Sequence, residues 1–140
     1  MDQPPAHVVE TAIYADDLDA AERFYTGTIG LELIAREGDR HVFCRCGPGV
    51  VLIFNAAVTE RPGTAGVLPI PPHGARGPGH LCFAAEPAGI EAWRDRLTAA
   101  GVAIESEIAW PKGGRSLYFR DPAGNSLEIA EAYLWSRAKG

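Results

Sequence analysis

The chain has 140 residues, 46% of them hydrophobic and 22% charged, with a formal net charge of −5 and a pI near 5.3. That is enough chain for one domain with a real core, and an acidic chain with no basic stripe excludes recognition built on a nucleic-acid backbone. No run approaches the roughly 20 apolar residues of a membrane helix, and the start MDQPPAHVVE lacks the basic-then-apolar layout of a signal peptide, so the expectation is a cytoplasmic protein.

Residues 8–14 (VVETAIY) read as a strand, with Glu10, Ala12 and Tyr14 on one face and Val9, Thr11 and Ile13 on the other. Asp16-Asp17 supplies a helix N-cap. The spacing of Leu18, Ala21 and Phe24 or Tyr25 predicts a helix over 18–26, ended by Gly27 and Gly30. Residues 31–36 form a second strand, Gly38-Asp39 a hairpin turn, and 41–45 a third strand. Gly47-Pro48-Gly49 is another turn, and 50–55 is the fourth strand. The order is β-α-β-β-β. Cys44 and Cys46 share one strand face. With Cys82 they make three cysteines, an odd number without a secretion signal, which reads as reduced thiols. Cys44 and Cys46 read either as small buried residues or as part of a soft metal site, though the two-plus-two thiolate pattern of a structural zinc is absent.

Residues 56–78 lack periodicity and are rich in Pro and Gly, which predicts a loop or linker with no helix. A loop of that length is often functional. The pattern then repeats. Residues 79–85 (GHLCFAA) read as a strand, with His80, Cys82 and Ala84 opposite Leu81 and Phe83. Pro87-Ala88-Gly89 opens a helix running to about residue 100, with Ile90, Trp93 and Leu97 on one side and Gly101 at its end. Residues 102–108 form a strand, and 113–130 a hairpin. In the hairpin Leu117 and Phe119 lie opposite Ser116 and Tyr118, and Leu127 and Ile129 opposite Glu128. Between them Asp121-Pro122-Ala123-Gly124-Asn125 is a turn: Pro presets φ, and Gly and Asn tolerate positive φ.

The internal repeat of about seventy residues sets the fold class. It is α+β: two βαβββ modules, about 7–56 and 79–133, joined by the Pro/Gly-rich linker in a single domain. Each module forms a curved mixed sheet with its helix on one face, and the opposite faces line a concave metal and substrate cavity. Three residues of metal-ligand type fall on the concave phase: Glu10, His80 and Glu128. One imidazole and two carboxylates suit a divalent Mn, Fe, Zn, Ni or Co ion, with positions left for water or substrate. Such a site activates a bound oxygen as a Lewis acid, or O₂ if the metal is iron. Tyr118 shares the phase of Glu128 and either packs or donates its hydroxyl to substrate. Arg115, beside Gly113-Gly114, is a candidate for an anionic substrate group or an exposed strand-end residue. Phe54 and Trp110 are cavity wall or core. His73 is either a lid residue or solvent-facing, and Trp135 is a candidate for docking across a partner subunit.

The motifs DDLDAAERFYTGTIGLEL, GHLCFAA and LYFRDPAGNSLEI resemble the vicinal oxygen chelate superfamily: glyoxalase I, bleomycin-resistance proteins, fosfomycin-resistance thiol transferases and type I extradiol dioxygenases. The resemblance spans nearly the whole chain. It implies a divalent metal on Glu10, His80 and Glu128, a small substrate chelated through adjacent oxygens, and a homodimer. Dioxygenase, lyase or thiol-transferase chemistry would follow, with Glu128 and Tyr118 catalytic. Two positions depart from relatives. Many carry His or Gln where this chain has Glu10. Glyoxalase I has a further carboxylate at the end of the first module, which VLIFN (51–55) lacks, so the implied branch is nearer the dioxygenases and fosfomycin-resistance enzymes. The rival implication is a bleomycin-resistance-like protein that binds a drug or metabolite without catalysis.

Overall fold

The structure, a computed structural model, describes residues 2–86 and 89–135. The chain divides between Arg76 and Gly77 into two compact units, each with one open, four-stranded mixed sheet.

In the first unit, β1 (Glu10–Tyr14) leads into α1 (Leu18–Arg23). The Asp17 side chain caps α1 by accepting from the Ala20 amide at 3.0 Å. The helix does not stop where the spacing predicts. It widens into a π-helical turn, Phe24–Thr28, and the chain leaves it at Gly30, whose φ of +90° suits a residue without a Cβ. Then follow β2 (Glu32–Glu37), β3 (His41–Cys46) and β4 (Gly49–Phe54), in the sheet order β1-β4-β3-β2. β1 runs parallel to β4, and the other pairs are antiparallel.

Residues paired across a sheet share a face. The rows Thr11–Val51–Cys44 and Ile13–Ile53–Val42 therefore face one way, and α1 covers them with Leu18 and Ala21. Each fully buried Val, Leu, Ile or Phe in such a layer contributes about 1.5–3 kcal/mol. Cys44 lies inside this layer, and burial first, then the Glu22 charge, pushes its thiol up to about 11. The loop expected over 56–78 does contain a helix. Asn55 ends β4 and caps the short α2 (Ala56–Thr59) by accepting from the Ala57 amide at 3.1 Å. Four residues are too few to show a helical period, which is why spacing alone misses α2.

The second unit repeats the plan with β5 (His80–Ala85), α3 (Gly89–Ala99), β6 (Ser106–Ala109), β7 (Arg115–Arg120) and β8 (Ser126–Glu131). Its sheet order is β5-β8-β7-β6, again with the first and last strands parallel. The predicted helix start at Pro87-Ala88 lies outside the described residues. β6 is shorter than the 102–108 expected. The row Phe83–Ile129–Leu117 and the row Leu127–Phe119 pack beneath Ile90 and Leu97 of α3. A final turn of 3-10 helix, Ala132–Trp135, leaves Trp135 exposed. Among the described residues no helix is long and apolar enough to cross a membrane.

Candidate functional site

Alternation sends the other face of the second sheet away from α3. On it Cys82 of β5, Glu128 of β8 and Tyr118 of β7 form one row, with His80 and Ser126 paired one step along. Glu128 is only 6% exposed, yet among the described residues no arginine or lysine pairs with it. A buried carboxylate without a cation needs donors. The Ser116 hydroxyl donates to Oε2 at 2.6 Å. Ser116 is held in turn by Trp110, whose indole Nε1 donates to Oγ at 2.9 Å. Oε1 faces His80 Nε2 at 3.3 Å.

The imidazole is fixed from its other side. His80 Nδ1 lies 2.9 Å from the Ser126 carbonyl, which can only accept, so Nδ1 carries the proton. In the neutral ring Nε2 then presents a lone pair to a carboxylate oxygen. Two lone pairs at that distance repel, and either a proton on Nε2 or a shared cation removes the repulsion. The spacing suits a cation. Two atoms each about 2.1 Å from one ion, at 90–109° to each other, are roughly 3.0–3.4 Å apart. A metal-binding histidine ordinarily donates its second N–H to a carbonyl, and a ligating carboxylate is itself hydrogen-bonded. Both supports are in place, so these two side chains fit as a pair of ligands to a divalent ion.

Tyr118 stacks beside His80, with ring centroids 6.3 Å apart and planes 21° apart. Burial, and after it the Glu128 charge, raises its phenol above the ordinary value, so the hydroxyl stays a donor through neutral pH. Desolvation and the same charge push the Cys82 thiol up to about 12, so it stays protonated.

The first unit carries a separate cavity of about 840 Å³ on its helix-free face. Glu10, Ala12 and Tyr14 of β1 line it, with Leu52 and Phe54 of β4 and Phe43 and Arg45 of β3. Residues Ile70 to His73 of the long loop close one side. His73 accordingly faces protein rather than solvent. Its Nδ1 lies 2.7 Å from the Tyr14 hydroxyl, and its ring stands edge-on to Phe54 at 4.5 Å. Beside it His41 stacks on Phe43 at 3.9 Å. Burial, and then the charge of Arg40, lowers the His41 pKa, with Glu37 opposing. A depressed histidine is neutral in the folded state while the unfolded chain still binds a proton below its ordinary 6.5. Stability should therefore fall as the pH drops through about 6.5. Urea midpoints between pH 7.5 and 5 should show a weaker acid loss in His41→Gln than in the parent protein.

The structure thus brings His80, Glu128, Tyr118 and Trp110 together in the second unit. Phe54 is a wall of the first-unit cavity, and Glu10 lines the same cavity. Among the described residues no group of three or more His, Cys, Asp or Glu side chains stands together to hold a metal. Arg115 lies on the other face of its sheet from Tyr118 and Glu128. It pairs there with Glu91 of α3 at 2.5 Å and with Glu131 at 3.2 Å. Ser116 and Arg40 were not singled out in the sequence. Ser116 shares the phase of Tyr118 and could have been found from it. Arg40 sits in a turn, where alternation gives no direction.

Comparison with known proteins agrees with this architecture. The profile of the glyoxalase/bleomycin resistance protein/dioxygenase superfamily matches residues 6–129. A solved structure described as lactoylglutathione lyase from Agrobacterium tumefaciens is 45% identical, with a TM-score of 0.88. The match covers 95% of this chain and 98% of that one. A glyoxalase/bleomycin resistance protein/dioxygenase from Nocardioides shares the fold at 19% identity and a TM-score of 0.70, over 93% of this chain and 85% of the other. A glyoxalase family protein from Bacillus anthracis does so at 20% identity and 0.70, over 94% and 98%. The chain belongs to the glyoxalase/bleomycin resistance protein/dioxygenase superfamily.

Proposed function

We propose that the protein is a divalent-metal-dependent enzyme with lyase-type chemistry on a small substrate that carries oxygens on adjacent carbons. His80 Nε2 and Glu128 Oε1 would hold the metal. The observation that carries the reading is the 3.3 Å approach of those two atoms, each beside an atom that is fixed by a hydrogen bond. The word lyase comes from the Agrobacterium relative, and 45% identity over 95% of the chain supports carrying it across. The missing carboxylate in VLIFN separates this chain from glyoxalase I at one position, and Glu10 is an acid where many relatives have none. The metal, when bound, supplies a Lewis acid for the two substrate oxygens.

The chain's own groups do the rest. The Tyr118 hydroxyl, held protonated, donates to an oxygen as negative charge develops on it. Glu128 takes the proton from one of the two oxygen-bearing carbons and returns it to the adjacent one, with Ser116 holding its second oxygen in place. Trp110 keeps Ser116 turned toward Glu128. The two units act as modules of one functional domain, and two copies form a homodimer, as the pairing of like units favours. The three free cysteines support a cytoplasmic setting.

The test is isotope exchange. Protein loaded with metal in D₂O should place deuterium on the hydroxyl-bearing carbon of lactoylglutathione, followed by proton NMR. Tyr118→Phe should slow the exchange by about 10²–10⁴-fold, the usual worth of a positioned acid–base group. No exchange with this thioester or with other 2-hydroxy or 2-oxo compounds would overturn the lyase reading.

A further inference from the structure

Arg40 exposes only 7% of its surface, the least exposed charge-bearing arginine of the first unit's cavity wall. Its NH1 donates to His41 Nδ1 at 2.8 Å, and its guanidinium stands 5.7 Å from the centre of the Phe54 ring. Neither partner is an anion, since His41 is held neutral by burial and by Arg40 itself. Its Nε is buried with no hydrogen-bond partner among the described residues. A buried cation with an unsatisfied donor is costly unless an anion meets it. The arginines of this unit that have a carboxylate partner among the described residues, Arg36 and Arg76, sit outside the cavity.

We propose that the first-unit cavity is a binding site for a small organic carboxylate, with Arg40 as the anchor for the acid group and the ring walls for an apolar or planar body. The guanidinium fork is suited to a carboxylate's two oxygens. Phe43, Phe54 and Tyr14 give flat apolar surface beside it, and His73 closes the side nearest Tyr14. The cavity's own acid does not compete for this end. Glu10 lies four residues up β1 from Tyr14, about 13 Å away at strand rise, whereas Arg40 adjoins His41, in the row of Tyr14 and Phe54. About 840 Å³ accommodates a ligand of one or two rings. The inference stands on this cavity alone and holds whatever reaction the His80–Glu128 pair carries.

Benzoate and its neutral isostere benzamide are the probes. Calorimetry on the full-length protein should show benzoate binding at least tenfold more tightly than benzamide, and amide NMR should place the shifts at Tyr14, His41 and Phe54. Arg40→Met should abolish the preference, and Arg40→Lys, which keeps the charge but not the fork, should retain part of it. If Arg40→Met does not fold, the two probes on the parent protein still decide. Equal affinity for both, binding of neither, or shifts confined to the second unit would overturn the proposal, as would a preference that survives in folded Arg40→Met.

Discussion

Replacing His80 by Ala is expected to strip the divalent ion from the purified protein. Removing the imidazole leaves Glu128 Oε1 facing empty space where a second ligand atom stood 3.3 Å away. Affinity should fall by more than the roughly 10–100-fold that loss of an outer-shell partner costs. Glu128→Gln should do the same, because an amide offers a weaker, uncharged oxygen. Ser116→Ala is the graded comparison. It keeps both ligands and removes only the 2.6 Å bond to Oε2, so it should fall within that 10–100-fold range. Elemental analysis after dialysis against a fixed metal concentration measures all three. Unchanged metal content in His80→Ala would end the metal assignment and leave the ligand-binding reading in its place.

The parts of this site that were readable from sequence are those that follow strand parity. Glu128, flanked by Leu127 and Ile129, had to turn away from the helix, and Tyr118 had to share its face once the hairpin register was set by the turn. The same parity puts Arg115 with Leu117 and Phe119, on the α3 side, where Glu91 and Glu131 take its charge. A strand-end position next to two glycines gives no sign of that constraint. What could not be read is what depends on side chains reaching across turns. Arg40 precedes β3, and nothing local says that its guanidinium enters the cavity rather than solvent. The π-helical turn after Arg23 is equally hidden, since Leu18, Ala21 and Tyr25 fit an ordinary helix as well as they fit this one. His73 needed the fold: only the return of the long loop along α2, where its amide donates to the Thr59 carbonyl at 2.9 Å, brings it to Tyr14.

The turn at 121–125 shows how a correct local reading can miss the larger effect. Gly124 does adopt positive φ, at +88°, but Asn125 does not. Asn125 is there for its side chain. It is 2% exposed, its Nδ2 donates to Asp121 Oδ2 at 2.9 Å, and its Oδ1 accepts from the Gly79 amide at 2.8 Å. Asp121, 5% exposed, accepts from the Ala123 and Asn125 amides through Oδ1, both at 2.9 Å. One turn therefore fixes the β7–β8 hairpin and also ties β5 to β8 at the residue before His80. Asp121→Ala removes the acceptor for three donors, two of them on buried Asn125. Each buried donor left unsatisfied costs about 1–3 kcal/mol. The expected loss is about 3 kcal/mol or more, a drop in Tm of about 10 °C for a chain of this length.

Asn125→Asp is the sharper variant. It is isosteric and keeps an acceptor for Gly79, but it puts a second carboxylate where Nδ2 now donates to Asp121. Two like charges at hydrogen-bond distance in a buried site should cost at least as much as the alanine change. Part of that loss should return on acidification, as one of the two carboxyls takes up a proton. Because residue 125 also accepts from Gly79 and so ties β5 to β8, and both variants remove the Asp121 bonds that hold that side chain in place, both should also loosen the approach of His80 to Glu128, and metal affinity should fall in the protein that remains folded. Urea unfolding at pH 7, repeated near pH 4.5 for Asn125→Asp, measures the effect. A loss under about 1 kcal/mol in both variants would mean that water replaces these bonds without penalty, and that the turn acts only through the backbone freedom of Gly124.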